Sequence, residues 1–156
     1  MKVISICFLL IVVYSGFAQT KLIDSLKNEL KLANSPRDQL TIYEHLVRQA
    51  YKEGENGLVE TYIAEGLILA DEAVYPVEKA ALIFQKGVLL ESNNKEEAIV
   101  QFKRVLELLE QVNQVQKSIP AYIHLVSNYA DLQQNDLALA YYEKVNSIIE
   151  SDDWEH

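Results

Sequence analysis

The sequence predicts an all-α protein in which helix pairs stack on one another. Apolar residues recur at the three- and four-residue steps of amphipathic helices, and no segment keeps the two-residue alternation of a half-buried strand for long. An apolar packing pattern also returns after 39 and then 40 residues, a period typical of stacked helical repeats. Polar, glycine or proline breaks separate the helices at Asn34-Ser35-Pro36, Gly54, Tyr75-Pro76, Ser92-Asn93-Asn94 and residues 132–136.

The N-terminal segment has the composition of a secretory signal. Lys2 precedes an almost unbroken apolar run over residues 3–14, and the small residues Gly16 and Ala18 stand at the −3 and −1 positions of a cleavage site before Gln19. The run is too short for a comfortable permanent span of a bilayer. We therefore expect a signal peptide at 1–18 and an exported mature chain, periplasmic or secreted, without a permanent membrane span.

Composition limits the partners of the mature chain. About half of the residues are apolar (49%), enough to fill one core, and the length of 156 residues suits one domain, 19–156. The formal net charge of −9 argues against nucleic acid or an anionic membrane as the main partner. The single cysteine, Cys7, lies in the signal, so the core must hold without disulfides. Asp152, Asp153 and Glu155 indicate a solvated tail, in which Trp154 is either a disordered end or an anchor on the last helices.

Each helix follows from its apolar stripe and its terminal residues. The strongest stripe lies in the sixth, at Tyr122, Leu125, Val126 and Tyr129. We predict a capping helix at 20–33, then helices at about 37–53, 58–72, 76–91, 95–112, 118–131 and 135–150. Gly54 suits a left-handed helix end, Pro76 suits a first turn, and Ser118 suits an N-cap.

The second helices of the three pairs repeat the same inward face. The first position of this face is a small or medium residue. A larger residue follows four positions later, and the third inward position comes three residues after that. The aligned sets are Val59, Ile63 and Gly66, then Ala98, Phe102 and Val105, then Ala138, Tyr142 and Val145. A pair cannot bury both faces alone, so we expect neighbouring pairs to complete one core.

These positions resemble the tetratricopeptide (TPR) repeat. The repeat at 119–152 fits the family pattern best, followed by those at 40–73 and 79–112, although Gly87 falls one residue later than the family's glycine. The resemblance implies a right-handed α-solenoid of about three repeats plus the N-terminal helix; a plain helical bundle is the structural alternative. The signal ending Phe-Ala-Gln and the opening helix are similar to exported TPR segments of Bacteroidetes.

The resemblance also implies a concave surface lined by the first helix of each pair. Arg48 and Lys52 are the only cations among its residues and no asparagine joins them, so binding of chaperone C-termini is not supported. The groove is predicted to be basic and aromatic at one end and apolar further along, suiting an extended or helical peptide. The residues predicted to bind a partner, in this groove or at the C-terminal end, are Arg48, Tyr51, Lys52, Ile83, Leu90, Ile123, Tyr141 and Ile148.

The C-terminal end is a second predicted association site. The ends of a repeat array need polar caps, and the predicted seventh helix is followed by only a few residues. We expect Tyr141, Ile148 and Ile149 to be partly exposed there. Such a patch predicts homo-oligomerisation or docking of a partner.

No residue pattern points to catalysis or to a cofactor. His45, His124 and His156 lack metal-ligand spacing, and no phosphate-binding loop occurs. His124 shares a helix face with Ser127 and Asp131, but the sequence indicates no activated nucleophile or oxyanion site. We therefore expect a non-enzymatic interaction or scaffold module that binds no metal or cofactor. The alternative is a detached sensory domain that acts on a membrane-bound kinase or transcription regulator.

Overall fold

The computed structural model describes residues 22–152, which form helices joined by short turns, with no strand among them. The helices are α1 (22–32), α2 (Pro36–Glu53), α3 (Asn56–Ala73), α4 (Pro76–Leu90), α5 (Lys95–Gln111), α6 (Ile119–Asp131) and α7 (Asn135–Asp152), with a 3₁₀ turn, Val115–Ser118, before α6. The all-α prediction is confirmed. The predicted signal peptide at 1–18 and Trp154 lie outside the described residues.

Side chains and turn residues set several helix ends, among them the left-handed end predicted at Gly54. The Ser35 hydroxyl accepts a hydrogen bond from the Asp38 amide at 3.1 Å, and Gly54 ends α2 with φ of 76°. Ser118 behaves differently from the prediction. Because a 3₁₀ turn precedes α6, the Ser118 hydroxyl donates to the Val115 carbonyl and makes no capping bond to α6.

The helices pack in chain order. The most extensive contacts lie within the pairs α2–α3, α4–α5 and α6–α7, and further contacts join α3 to α4, α5 to α6, and α2 to α4. All substantial contacts among α2 to α7 therefore connect helices that are adjacent or next but one in the chain. Each pair rests on the following pair.

The apolar core runs along the row of helices in two connected clusters. One joins α1, α2 and α3 around Leu40 and Leu46, and the other joins α4 to α7 around Phe102 and Leu125. α4 belongs to both clusters, because Leu82 packs in the first cluster and the next residue of the chain packs in the second. The fold is therefore held by shared burial between neighbours.

The repeated inward face is buried in α3 and α5 but only partly in α7. Val59, Ala98 and Ala138, which open the face, are at most 8% exposed. The prediction is wrong for Tyr142, which is 52% exposed, whereas its equivalent Phe102 is fully buried. Among the described residues no helix covers this side of α7, so the Tyr142 ring has no neighbour that buries it.

The face that α4 turns towards the core is shifted by one residue relative to the predicted repeat. Buried Ala80, Ile83 and Gly87 follow the α2 pattern at a spacing of forty residues, whereas the predicted repeats require 39. Gly87 is needed at this contact, since a β-carbon there would lie 2.7 Å from the Phe102 ring. One residue corresponds to about 100° around a helix, enough to exchange a core position for a surface position.

Candidate functional site

A cleft of about 210 Å³ opens between α2, α4, α5 and the start of α6. Its walls are mostly apolar, with Ala81 and Phe84 from α4 and Val105 from α5. Three charged side chains, Arg48 and Glu44 from α2 and Lys117 from the 3₁₀ turn, surround this apolar surface. Apolar walls with a few polar groups at the edge are typical of a ligand or peptide site.

The charges at this cleft are unevenly exposed. The Arg48 side chain is 54% exposed and the Glu44 side chain 23%, and their closest charged atoms, Nη2 and Oε2, are 3.7 Å apart. Burial raises the pKa of Glu44 above its ordinary value of 4.5, although Arg48 and His45 act in the opposite direction. Arg48 and Lys117 therefore present the more accessible charge, and it is positive.

A shallower groove between α1 and α2 continues from this cleft. Arg48 lines both, and His45, Gln49 and Lys52 line the groove beside Leu22. An extended chain crossing the two would meet cationic side chains over α2 and an apolar surface over α4. The groove predicted from the sequence was basic and aromatic at one end, but its aromatic member, Tyr51, lines neither of these two surfaces.

The eight predicted binding residues do not form one surface. Arg48 and Lys52 line the clefts, and Tyr51 and Ile123 are exposed outside these two clefts. Leu90, Tyr141 and Ile148 are partly buried, and only one of the eight residues is fully buried.

Ile83 is the exception and must be removed from the predicted binding set. Its side chain is 1% exposed and packs in the second core cluster. The physical reason is the setting of α4, which turns Ile83 inward and places Ala81 and Phe84 at the cleft. The late position of Gly87 in the sequence was the signal for this shift. Lys117 was also missed, because its place depends on the 3₁₀ turn before α6.

His124 is part of a structural contact between α4 and α6. Its Nδ1 lies 2.8 Å from Glu91 Oε1, and its ring stacks on Phe102 with centroids 4.8 Å apart. The buried Asn128 amide donates to the same Glu91 oxygen at 2.5 Å. Asp131 instead pairs with Lys95 at 2.8 Å, so His124 and Asp131 have separate partners. Within residues 22–152 no group of three or more His, Cys, Asp or Glu side chains could hold a metal ion.

The exposed apolar surface of α7 differs from the predicted one. Tyr141 stacks on Tyr129 with ring centroids 5.4 Å apart and is partly buried, as is Ile148. Leu139, Tyr142 and Ile149 are 57%, 52% and 47% exposed. Of the predicted C-terminal patch, Ile149 is therefore the most accessible member. No helix of the described residues is long and apolar enough to cross a membrane.

No protein-family model, curated protein or solved structure matches this chain. The functional argument therefore depends on the geometry of the clefts and of α7.

Proposed function

We propose that this protein is a non-enzymatic interaction module that binds a peptide or protein segment along α2 and α4. The observation that carries the proposal is the apolar cleft edged by Arg48 and Lys117. We further propose that the helix pairs form a right-handed solenoid of TPR-like repeats, exported after cleavage near Ala18. The packing of helices in chain order supports this architecture.

The cleft suits a segment that combines an apolar side chain with a nearby carboxylate. The apolar side chain would rest on Ala81, Phe84 and Val105, where burial removes apolar surface from water. A neighbouring Asp or Glu of the segment would approach Arg48 and Lys117, and Arg48 offers two parallel hydrogen bonds to a carboxylate. A segment passing towards α1 would next meet His45 and Lys52.

A peptide-display selection on the mature chain tests this proposal. We expect enriched peptides to place Asp or Glu within a few residues of a bulky apolar residue. Binding of a synthetic enriched peptide is then measured by calorimetry with Ala81→Trp, which fills the cleft, and Arg48→Glu, which reverses a charge at its edge. Both variants are expected to weaken binding about tenfold or more, equivalent to about 1.4 kcal/mol.

Arg104→Glu is the matched control, because Arg104 is an exposed α5 residue outside both clefts. It makes the same charge change and should leave binding unchanged. Circular dichroism of every variant checks that the helices remain intact. Equal binding by the wild-type chain and Ala81→Trp, or no enriched peptide at all, would contradict the proposed cleft function.

A further inference from the structure

α7 has an apolar face without a partner among the described residues. Leu139, Tyr142 and Ile149 lie three and seven residues apart, so they form one stripe along the helix. Their equivalents forty residues earlier, Ile99, Phe102 and Leu109, are at most 6% exposed. The same stripe is therefore core in α5 and surface in α7.

α6 shows how such a stripe is covered. Its Ala121, Leu125 and Tyr129 lie at four-residue intervals, are at most 5% exposed, and share the core cluster with the α5 stripe. The small Ala121 allows close approach of the backbones, and the larger residues fill the space beyond it. A helix with this order of side chains would therefore fit over the α7 stripe, which no helix of the described residues covers.

The charge beside the α7 stripe identifies the chemistry of the occupant. Asp136, Glu143 and Glu150 recur at seven-residue intervals next to the stripe, and all three are exposed. Lys144, the one basic residue of α7, lies on the opposite side of the helix from the stripe. An occupant with lysine or arginine beside its apolar stripe would face this acidic row.

Electrostatics disfavours a second copy of this chain as the occupant. Each copy has a formal net charge of −9. Two α7 helices packed antiparallel through a two-fold axis would place their acidic rows side by side, because such an interface uses the same surface twice. Like charges in that position oppose association.

We propose that the stripe Leu139, Tyr142 and Ile149 of α7 is a docking surface for a basic amphipathic helix of a partner protein. The partner helix occupies the place over α7 that α6 occupies over α5. Its apolar side chains cover the stripe, and its basic side chains pair with Asp136, Glu143 and Glu150. This surface lies on a different helix from those that line the cleft, so it is independent of the proposed cleft function.

Fluorescence anisotropy with a synthetic labelled peptide tests the proposal. The probe has 18 residues, the length of α7, with alanine, leucine and tyrosine in the spacing of the buried α6 residues and lysine at the flanking positions. A second probe replaces every lysine by glutamate and keeps the apolar residues. We expect the lysine probe to bind the full mature chain at least about tenfold more tightly than the glutamate probe.

Four variants locate the binding on α7. Leu139→Glu/Ile149→Glu should weaken binding of the lysine probe about tenfold or more, because it places charge on the stripe. Ile68→Glu/Val100→Glu, which changes two exposed apolar residues on α3 and α5, is the matched control and should bind normally. Glu143→Lys/Glu150→Lys should reverse the preference between the two probes. Arg48→Glu should leave it unchanged, which separates this surface from the cleft.

Three results would overturn the proposal. The first is equal binding of the two probes, and the second is normal binding by Leu139→Glu/Ile149→Glu. The third is a dimer in sedimentation velocity that this double variant disperses, because that result assigns the stripe to a second copy. Circular dichroism confirms that the variants keep their helices.

Discussion

α5 and α7 occupy the same place in successive helix pairs and have different surroundings. Phe102 of α5 is fully buried between α4 and α6, where it contacts the Gly87 position and stacks on His124. Tyr142, its equivalent in α7, is 52% exposed. Both helices have an apolar stripe in sequence, and only the presence of a following pair makes one of them core. A repeat pattern therefore indicates which face is able to pack, while burial requires a neighbour.

The largest expected difference is between Phe102→Ala and Tyr142→Ala. Removing the Phe102 ring leaves a cavity between three helices and should lower the free energy of unfolding by about 3–5 kcal/mol. Tyr142→Ala removes an exposed ring and should change it by no more than about 1 kcal/mol. Urea unfolding followed by circular dichroism measures both. Similar losses in the two variants would mean that Tyr142 is covered in solution.

The next expected effect is at the glycine that admits the Phe102 ring. Gly87→Ala places a β-carbon 2.7 Å from that ring, which is fully buried. We expect a loss of about 1–3 kcal/mol in the free energy of unfolding, after the small gain in helix propensity. Gly57→Ala is the control, because nothing lies within 4 Å of its added β-carbon. If the two variants unfold alike in urea, the close α4–α5 contact is not required.

The next prediction compares two polar contacts, one made by Glu91 at the end of α4 and one made by Asp131 at the end of α6. Glu91→Ala removes the acceptor for His124 and for the buried Asn128 amide, and should cost about 1–3 kcal/mol. Asp131→Ala removes only an exposed pair with Lys95 and should cost about 0.5 kcal/mol or less. Thermal unfolding at neutral pH compares them. A larger loss for Asp131→Ala would contradict the role assigned to Glu91 in joining α4 to α6.

A smaller stabilising effect is expected where α3 turns into α4. Val74 has φ of 57°, a left-handed conformation that is unfavourable for a β-branched residue, and its side chain is 79% exposed. Val74→Gly should raise the free energy of unfolding by about 1 kcal/mol. Asn113 has φ of 53° in the turn after α5, but asparagine tolerates this region, so Asn113→Gly should gain less. Equal gains in chemical unfolding would show that the side-chain type does not matter at these turns.

The smallest effect is a pH dependence from the cleft. The raised pKa of Glu44 means that the folded chain holds this proton more tightly than the unfolded chain does. Its contribution to stability is full below the ordinary pKa of 4.5 and is lost as the pH rises through the higher folded pKa. Glu44→Gln should remove this loss. The unfolding midpoint of the variant should therefore rise relative to that of the wild type as the pH increases from 4.5. A constant difference between the two unfolding midpoints across that range would contradict the partly buried Glu44 carboxyl as the source of the pH dependence.

Much of the helical framework was predictable because its determinants are local. Ser35 and Gly54 lie at the helix ends where capping and left-handed geometry require such residues, and Pro76 begins α4 in the first turn. The cleft was only partly predictable. Of the residues predicted to bind a partner, Arg48 lines the cleft and Lys52 lines only the adjoining groove. Ile83 lines neither, because a one-residue change in the setting of α4 places Phe84 at the cleft instead.

The sequence by itself determined that residues 22–152 form helices with short breaks, since apolar periodicity and end residues act within a few positions along the chain. Only the tertiary structure decided how each helix is rotated and which face is covered. Gly87 of α4 packs against Phe102 of α5, and Ile83 lies inward on the same face of α4. Tyr141 is sheltered by Tyr129 while Tyr142 remains exposed, because burial depends on the neighbouring helix and not on the apolar character of the side chain.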